Sequence, residues 1–179
     1  MIDHRLRRRL VVGCLAALLL LTTSCGYHTN GAAVRLPSDV HTIYVPAFAN
    51  RSLTYRIGQV FTEAVIKELR SRTNYRIVTV NDGTADAKLV GTIANVYIAP
   101  LTYDSVTGRI SSSIVVVYLS ASLTTREGKV LWSNPAFLYR EQYQESINAP
   151  TFFEEAAPAV QRMAGSFAKT LVSDILEAY

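Results

Sequence analysis

Residues 113–124 read Ser-Ile-Val-Val-Val-Tyr-Leu-Ser-Ala-Ser-Leu-Thr, and their alternation decides the fold. Val115, Val117, Leu119, Ala121 and Leu123 share one face, because strand side chains point alternately up and down. Ile114, Val116 and Tyr118, then Ser120, Ser122 and Thr124, fill the other face. Upstream, Lys88 to Ala99 alternates Val90, Ala94, Val96 and Ile98 against Leu89, Ile93 and Tyr97, and Thr107-Gly108 reads as the hairpin tip between the two strands. Downstream, Glu127-Gly128 turns the chain into a long strand, Lys129 to Tyr143, interrupted at Asn134-Pro135. The centre of the chain is therefore a three-stranded meander.

Working outward, His41 to Phe48 is β-prone, and Pro46 marks where its pairing ends. Ile57, Val60, Phe61, Ala64, Val65 and Leu69 then keep helical spacing, with Arg56, Glu63, Lys67 and Arg70 off the stripe. Arg70, Arg72 and Arg76 crowd the C-terminal end of this helix, where positive charge complements the dipole. Tyr75 to Val80 makes a short strand closed by the Asn81-Asp82-Gly83 turn. The last element opens on a capping box, Thr151 to Glu154, and carries the stripe Val160, Met163, Ala164, Phe167, Ala168, Leu171, Val172, Ile175 and Leu176. Pro158 predicts a kink or a restart there. The order β-α-β-β-β-β-α predicts an α+β fold. Two helices cannot cover both faces of a mixed or antiparallel sheet of about four to five strands, so a two-layer sandwich with both helices on one face is expected.

The N-terminus reads as an address. Of 18 basic and 14 acidic side chains in the 179 residues, four Arg and one Asp fall within residues 1–24, so the remainder is nearly neutral. Nucleic-acid binding thereby loses its main support. Behind the basic residues 1–9, Leu10 to Leu21 is an unbroken apolar run, too short to span a bilayer but the length of a secretory h-region. Leu21-Thr22-Thr23-Ser24-Cys25 then resembles a lipobox, which implies cleavage before Cys25 and N-acyl and S-diacylglycerol groups (palmitate among them) on that residue. Cys14 follows Arg9 too closely to leave an h-region before it. Several acyl chains on one residue exceed what stable anchoring needs. Gly26 rather than Asp after the cysteine favours the outer membrane, by resemblance to enteric lipoproteins. The division expected is a signal peptide at 1–24, a lipidated N-terminus and tether at 25–40, and one domain at 41–179.

No catalytic constellation emerges. Beyond the signal only His28 and His41 are available to a triad, carboxylates are scattered, and Gly83 and Gly91 stand alone rather than in a phosphate loop. Neither a metal site nor a cofactor is expected, and the chain does not read as an enzyme. The unusual feature is the second sheet face. Leu89, Ile93, Tyr97, Ile114, Val116, Tyr118, Phe137 and Tyr139 are too apolar for plain solvent contact, and tyrosine suits protein contacts with its large ring and polar tip. Ile93, Tyr97, Ile114, Val116, Tyr118 and Tyr139 are the candidate partner interface.

Cys25-Gly26-Tyr27-His28 resembles the mature start of the lipopolysaccharide-assembly lipoprotein family, LptE. So do residues 43–50 (Ile-Tyr-Val-Pro-Ala-Phe-Ala-Asn), 85–91 (Ala-Asp-Ala-Lys-Leu-Val-Gly) and 128–132 (Gly-Lys-Val-Leu-Trp), in the family's order. The resemblance implies a plug inside a large outer-membrane β-barrel of the LptD type, on the periplasmic side, helping to place lipopolysaccharide in the outer leaflet. It also implies basic residues that meet lipid A phosphates, and Arg109, Arg126 and Lys129 beside the hairpin tips are the candidates. Curli-secretion and penicillin-binding-protein-activator lipoproteins share the strand-helix-strand opening and supply the alternative. The first carries a membrane-inserting hairpin and the second a long tether, for which this chain leaves little room.

Overall fold

The computed structural model describes residues 36–145 and 152–178. These form β1 (Thr42–Tyr44), β2 (Ala49–Asn50), α1 (Ile57–Arg72), β3 (Arg76–Val78), β4 (Ala87–Tyr103), β5 (Ile110–Thr125), β6 (Val130–Gln144) and α2 (Phe152–Glu177). One mixed sheet runs in the order β3-β1-β4-β5-β6, with β2 pairing β4. β1 is parallel to both β3 and β4, and the meander β4-β5-β6 is antiparallel. Parallel neighbours need a crossover, which α1 supplies between β1 and β3. The α+β two-layer fold expected from the pattern is the one found.

The strand count rises to six because the stretch expected as one strand divides at Pro46. The Val45 amide still reaches the Val78 carbonyl at 2.9 Å, but Pro46 has no donor, and pairing resumes on β4 only at Ala49. The packed part of the chain also starts earlier than the expected tether boundary at residue 40. Leu36 and Val40 are buried in the core, and the Leu36 amide donates to the Tyr75 hydroxyl at 3.0 Å.

α1 buries Ile57, Phe61, Val65 and Leu69 together with Gly58 and Thr62. Thr62 is polar and buried, yet satisfied. Its hydroxyl donates to the Gly58 carbonyl at 2.6 Å and accepts from the Phe48 amide at 2.9 Å. A side chain at Gly58 would meet the Phe48 carbonyl oxygen at 2.7 Å, so only glycine lets this segment lie against the helix. At the other end, the Thr73 amide and hydroxyl both donate to the Leu69 carbonyl, at 3.0 and 2.6 Å. Arg70 reaches the Ile77 carbonyl, and Arg72 bonds the Ser173 hydroxyl at 2.8 Å, so the arginines at this end tie α1 to the sheet and to α2.

α2 runs unbroken through Pro158, so the helix does not restart there. Pro158 is exposed near the helix start, while Ala156, Ala159 and Val160 are buried. The expected capping residue Thr151 lies outside the described residues. Phe167 of α2 sits at the centre of the core, with the rings of Phe137, Phe61, Tyr139 and Phe48 at centroid distances of 5.2, 5.5, 5.8 and 6.2 Å. Each fully buried ring of this kind stabilises the fold by roughly 1.5–3 kcal/mol.

Two irregularities set which residues face the helices. On β4, Leu89 and Ile93 point into the core, and the register then shifts between Ile93 and Asn95. Beyond the shift the parity inverts, so that Val96 and Ile98 lie over Val117 and Val115 while Tyr97 turns to the opposite face. On β6 the register shifts across Asn134-Pro135-Ala136, which brings Phe137 and Tyr139 opposite Leu119 and Val117. Ile93 and Tyr139, with Leu89 and Phe137, therefore belong to the helix side and not to the candidate interface. Ile93 is fully buried, and Tyr139 stacks edge-on against Phe167. Burial pushes the Tyr139 phenol above its ordinary range, partly offset by a hydrogen bond with Thr170.

Candidate functional site

The face away from the helices is built by the even positions of β5 and their neighbours. Ile114, Val116 and Tyr118 stand in a row, with Ala99, Tyr97 and Asn95 across from them on β4, and Gln142, Arg140 and Leu138 across on β6. Among these, Tyr97, Tyr118 and Leu138 are 58, 44 and 43% exposed, unusually wet for large apolar groups at the middle of a sheet. Val116 is 7% exposed but lies outside the core cluster, so its cover comes from neighbours on the same face. Four of the six expected interface residues, Tyr97, Ile114, Val116 and Tyr118, are thus brought together on one surface.

The hairpin β4-β5 overhangs this surface. β6 pairs with β5 only as far as Ser112, so residues 101–110 extend past it and are exposed throughout. Leu101, Tyr103, Val106 and Ile110 project from this overhang. Its turn is held by Asp104, whose carboxylate accepts from the Thr107 amide at 2.6 Å, the Thr107 hydroxyl at 2.8 Å and the Val106 amide at 3.1 Å. These Thr107 bonds hold the Asp104 carboxyl below its ordinary value. Gly108 closes the turn at φ 67°. Arg109 follows, exposed, its amide donating to the Thr107 hydroxyl.

Arg126 and Lys129 sit at the other end of the sheet, about 50 Å away along β5. Arg126 is already occupied. Its guanidinium donates to the Thr84 carbonyl at 2.6 Å and the Ala85 carbonyl at 3.0 Å, and pairs with Asp86 at 3.4 Å. Asp86 in turn accepts from the His41 and Thr42 amides at 3.0 and 2.9 Å, bonds that pull its carboxyl below the ordinary 3.8. This hub fixes the starts of β1 and β4 and the end of β5. Sequence reasoning missed it, although Asp86 within the 85–91 segment was its visible sign. Lys129 is exposed beyond the Gly128 turn. Cys25 lies outside the described residues. Among the described residues, no three His, Cys, Asp or Glu side chains group as a metal site would require, and no helix is long and apolar enough to cross a membrane.

None of the curated proteins matches the chain. Among solved structures, it is similar to lipoprotein B of Nitrosomonas europaea, with 13% identity over 84% of this chain and 90% of that one, at a TM-score of 0.54. A protein from Xanthomonas campestris shares 13% identity over 80% and 88% of the two chains, at a TM-score of 0.53. Identities this low speak for the fold alone, and the fold is the one described above. A family model, LptE, described as lipopolysaccharide-assembly, matches residues 40–175, from the start of β1 to the last turn of α2. That span covers both helices, the whole sheet and its open face, and the chain belongs to the LptE family.

Proposed function

We propose that this protein is lipidated at Cys25, held on the periplasmic side of the outer membrane, and seated by its open sheet face inside an LptD-type β-barrel. There it assists the passage of lipopolysaccharide to the outer leaflet. It works by contact and positioning, without a chemical step of its own. The observation that carries this reading is the pair Tyr97 and Tyr118, exposed on one face of a sheet whose other face packs against the two helices. Family membership supports the lipopolysaccharide connection. Arg109 remains the best placed base for a lipid A phosphate, since the Arg126 fork is engaged with carbonyls and Lys129 lies at the far end.

A pull-down from outer membranes with mass spectrometry tests the reading. The wild-type lipoprotein should retain a heat-modifiable β-barrel, and Tyr118→Glu should lose it while remaining folded. Recovery of a peptidoglycan synthase in its place would replace the barrel reading with the activator one. Arg109→Asp should lower lipopolysaccharide retention without dissociating the barrel, and unchanged retention would remove Arg109 from the site.

A further inference from the structure

The charges on the open face have one sign. Thr42 pairs with Arg76 and Tyr44 with Lys88, both on the side opposite the buried Ile43, Ile77 and Ala87. Across the sheet, Arg140 pairs with Val116. All three bases are exposed, and the Lys88 ammonium lies over the Tyr44 ring at 5.8 Å. Among the described residues, the strand positions of this face include no Asp or Glu. Glu141, the acid on β6, points to the helix side and pairs with Arg162 of α2 at 2.7 Å. The rest of the face mixes Tyr97, Tyr118, Ile114, Val116 and Leu138 with hydroxyls and amides, so its only charged strand positions are basic.

We propose that the surface docked on this face is a polar protein wall bearing carboxylates opposite Arg76, Lys88 and Arg140. The inference rests on the barrel reading, in which a polar lumen supplies such a wall. By register Lys88 lies level with Thr124 of β5 and Arg140 level with Val116, so the three like charges are spread over about 19 Å across the sheet and, from Lys88 to Arg140, about 26 Å along the strands. Complementary charges at that spread fix the seating register, and a reversed charge opposite a carboxylate is rejected.

The test uses the full-length lipoprotein purified from outer membranes with its barrel, in wild-type, K88Q/R140Q and K88E/R140E forms. The reversal should cut barrel retention by roughly tenfold or more, and the neutral pair should cut it less. Wild-type retention should fall as NaCl rises from about 0.1 to about 1 M, because screening shortens from about 10 to 3 Å. All three proteins should keep one thermal transition, since the two bases lie outside the core. Equal barrel retention by the three forms at every salt concentration overturns the charge inference and leaves the barrel reading intact. Capture of phosphatidylglycerol vesicles in place of any barrel by the wild type overturns both.

Discussion

Substituting Gly91 with alanine places a methyl group where the Phe48 ring already lies. A Cβ built on Gly91 overlaps Cδ2, Cε2 and Cζ of that ring, so the ring must retreat by roughly 1 Å or more to restore ordinary contact. Retreat is blocked on the far side by Phe167, which meets Phe48 edge to face at 6.2 Å. The Phe48 backbone is held too, by the Thr62 hydroxyl and by its approach to Gly58. Overpacking of this kind costs about 1–3 kcal/mol, offset by roughly 0.5–1 kcal/mol because alanine suits a strand better than glycine. The net expectation is a loss of about 1 kcal/mol, or about 4 °C in Tm. Urea denaturation of the purified protein measures it. Phe48→Ala alone should cost about 3–5 kcal/mol. In that background Gly91→Ala should become neutral or stabilising, a coupling of about 2 kcal/mol. An identical cost of Gly91→Ala in both backgrounds would refute the argument that ring and glycine share one space.

Neighbouring positions on β5 offer a second contrast. Leu119→Ala, on the helix side, should lose about 2–5 kcal/mol, whereas Tyr118→Ala should stay within about 1 kcal/mol of wild type and act on barrel retention instead. Equal destabilisation by both, read by thermal denaturation, would make the open face ordinary core. For the hub, Asp86→Asn removes a carboxylate whose folded pKa is depressed by the His41 and Thr42 amides. Its contribution is present above the unfolded value near 3.8 and lost as pH falls through the folded value, so wild type and variant should differ at pH 7 and converge below about pH 4 in acid titrations. A gap that persists at pH 2 would assign the effect to something other than the charge. Finally, Cys25→Ala should abolish palmitate labelling and leave the precursor uncleaved, and continued labelling would move the lipid to Cys14.

Much of this architecture was legible because β5 is regular. Its alternation put Val115, Val117 and Leu119 on the core side without any knowledge of partners, and both helical stripes pack where their spacing placed them. The errors lie where period two breaks. A strand's phase carries forward only until an extra residue is inserted, and nothing in Ile93-Ala94-Asn95 announces the insertion as loudly as Asn134-Pro135 does on β6. Ile93 and Tyr139 were consequently assigned to the wrong face. The Asp86 hub was illegible for another reason. Its partners His41, Thr42 and Arg126 are 40 to 45 residues distant, and no local pattern encodes a contact of that range. Leu36 resembled linker because its burial depends on the equally remote Tyr75.

The interruption on β6 has an effect at the rim of the sheet as well. β3 closes one edge with only three residues, but β6 leaves fifteen along the other. An edge of that length is a template on which another extended chain could zip and seed aggregation. Pro135 removes a donor from the middle of the template, and the register shift beside it staggers the two halves. An incoming strand that matches Phe137–Gln144 therefore falls out of step with Val130–Asn134. One local defect both turns Tyr139 inward and denies a long, uninterrupted ladder to stray chains in a crowded compartment.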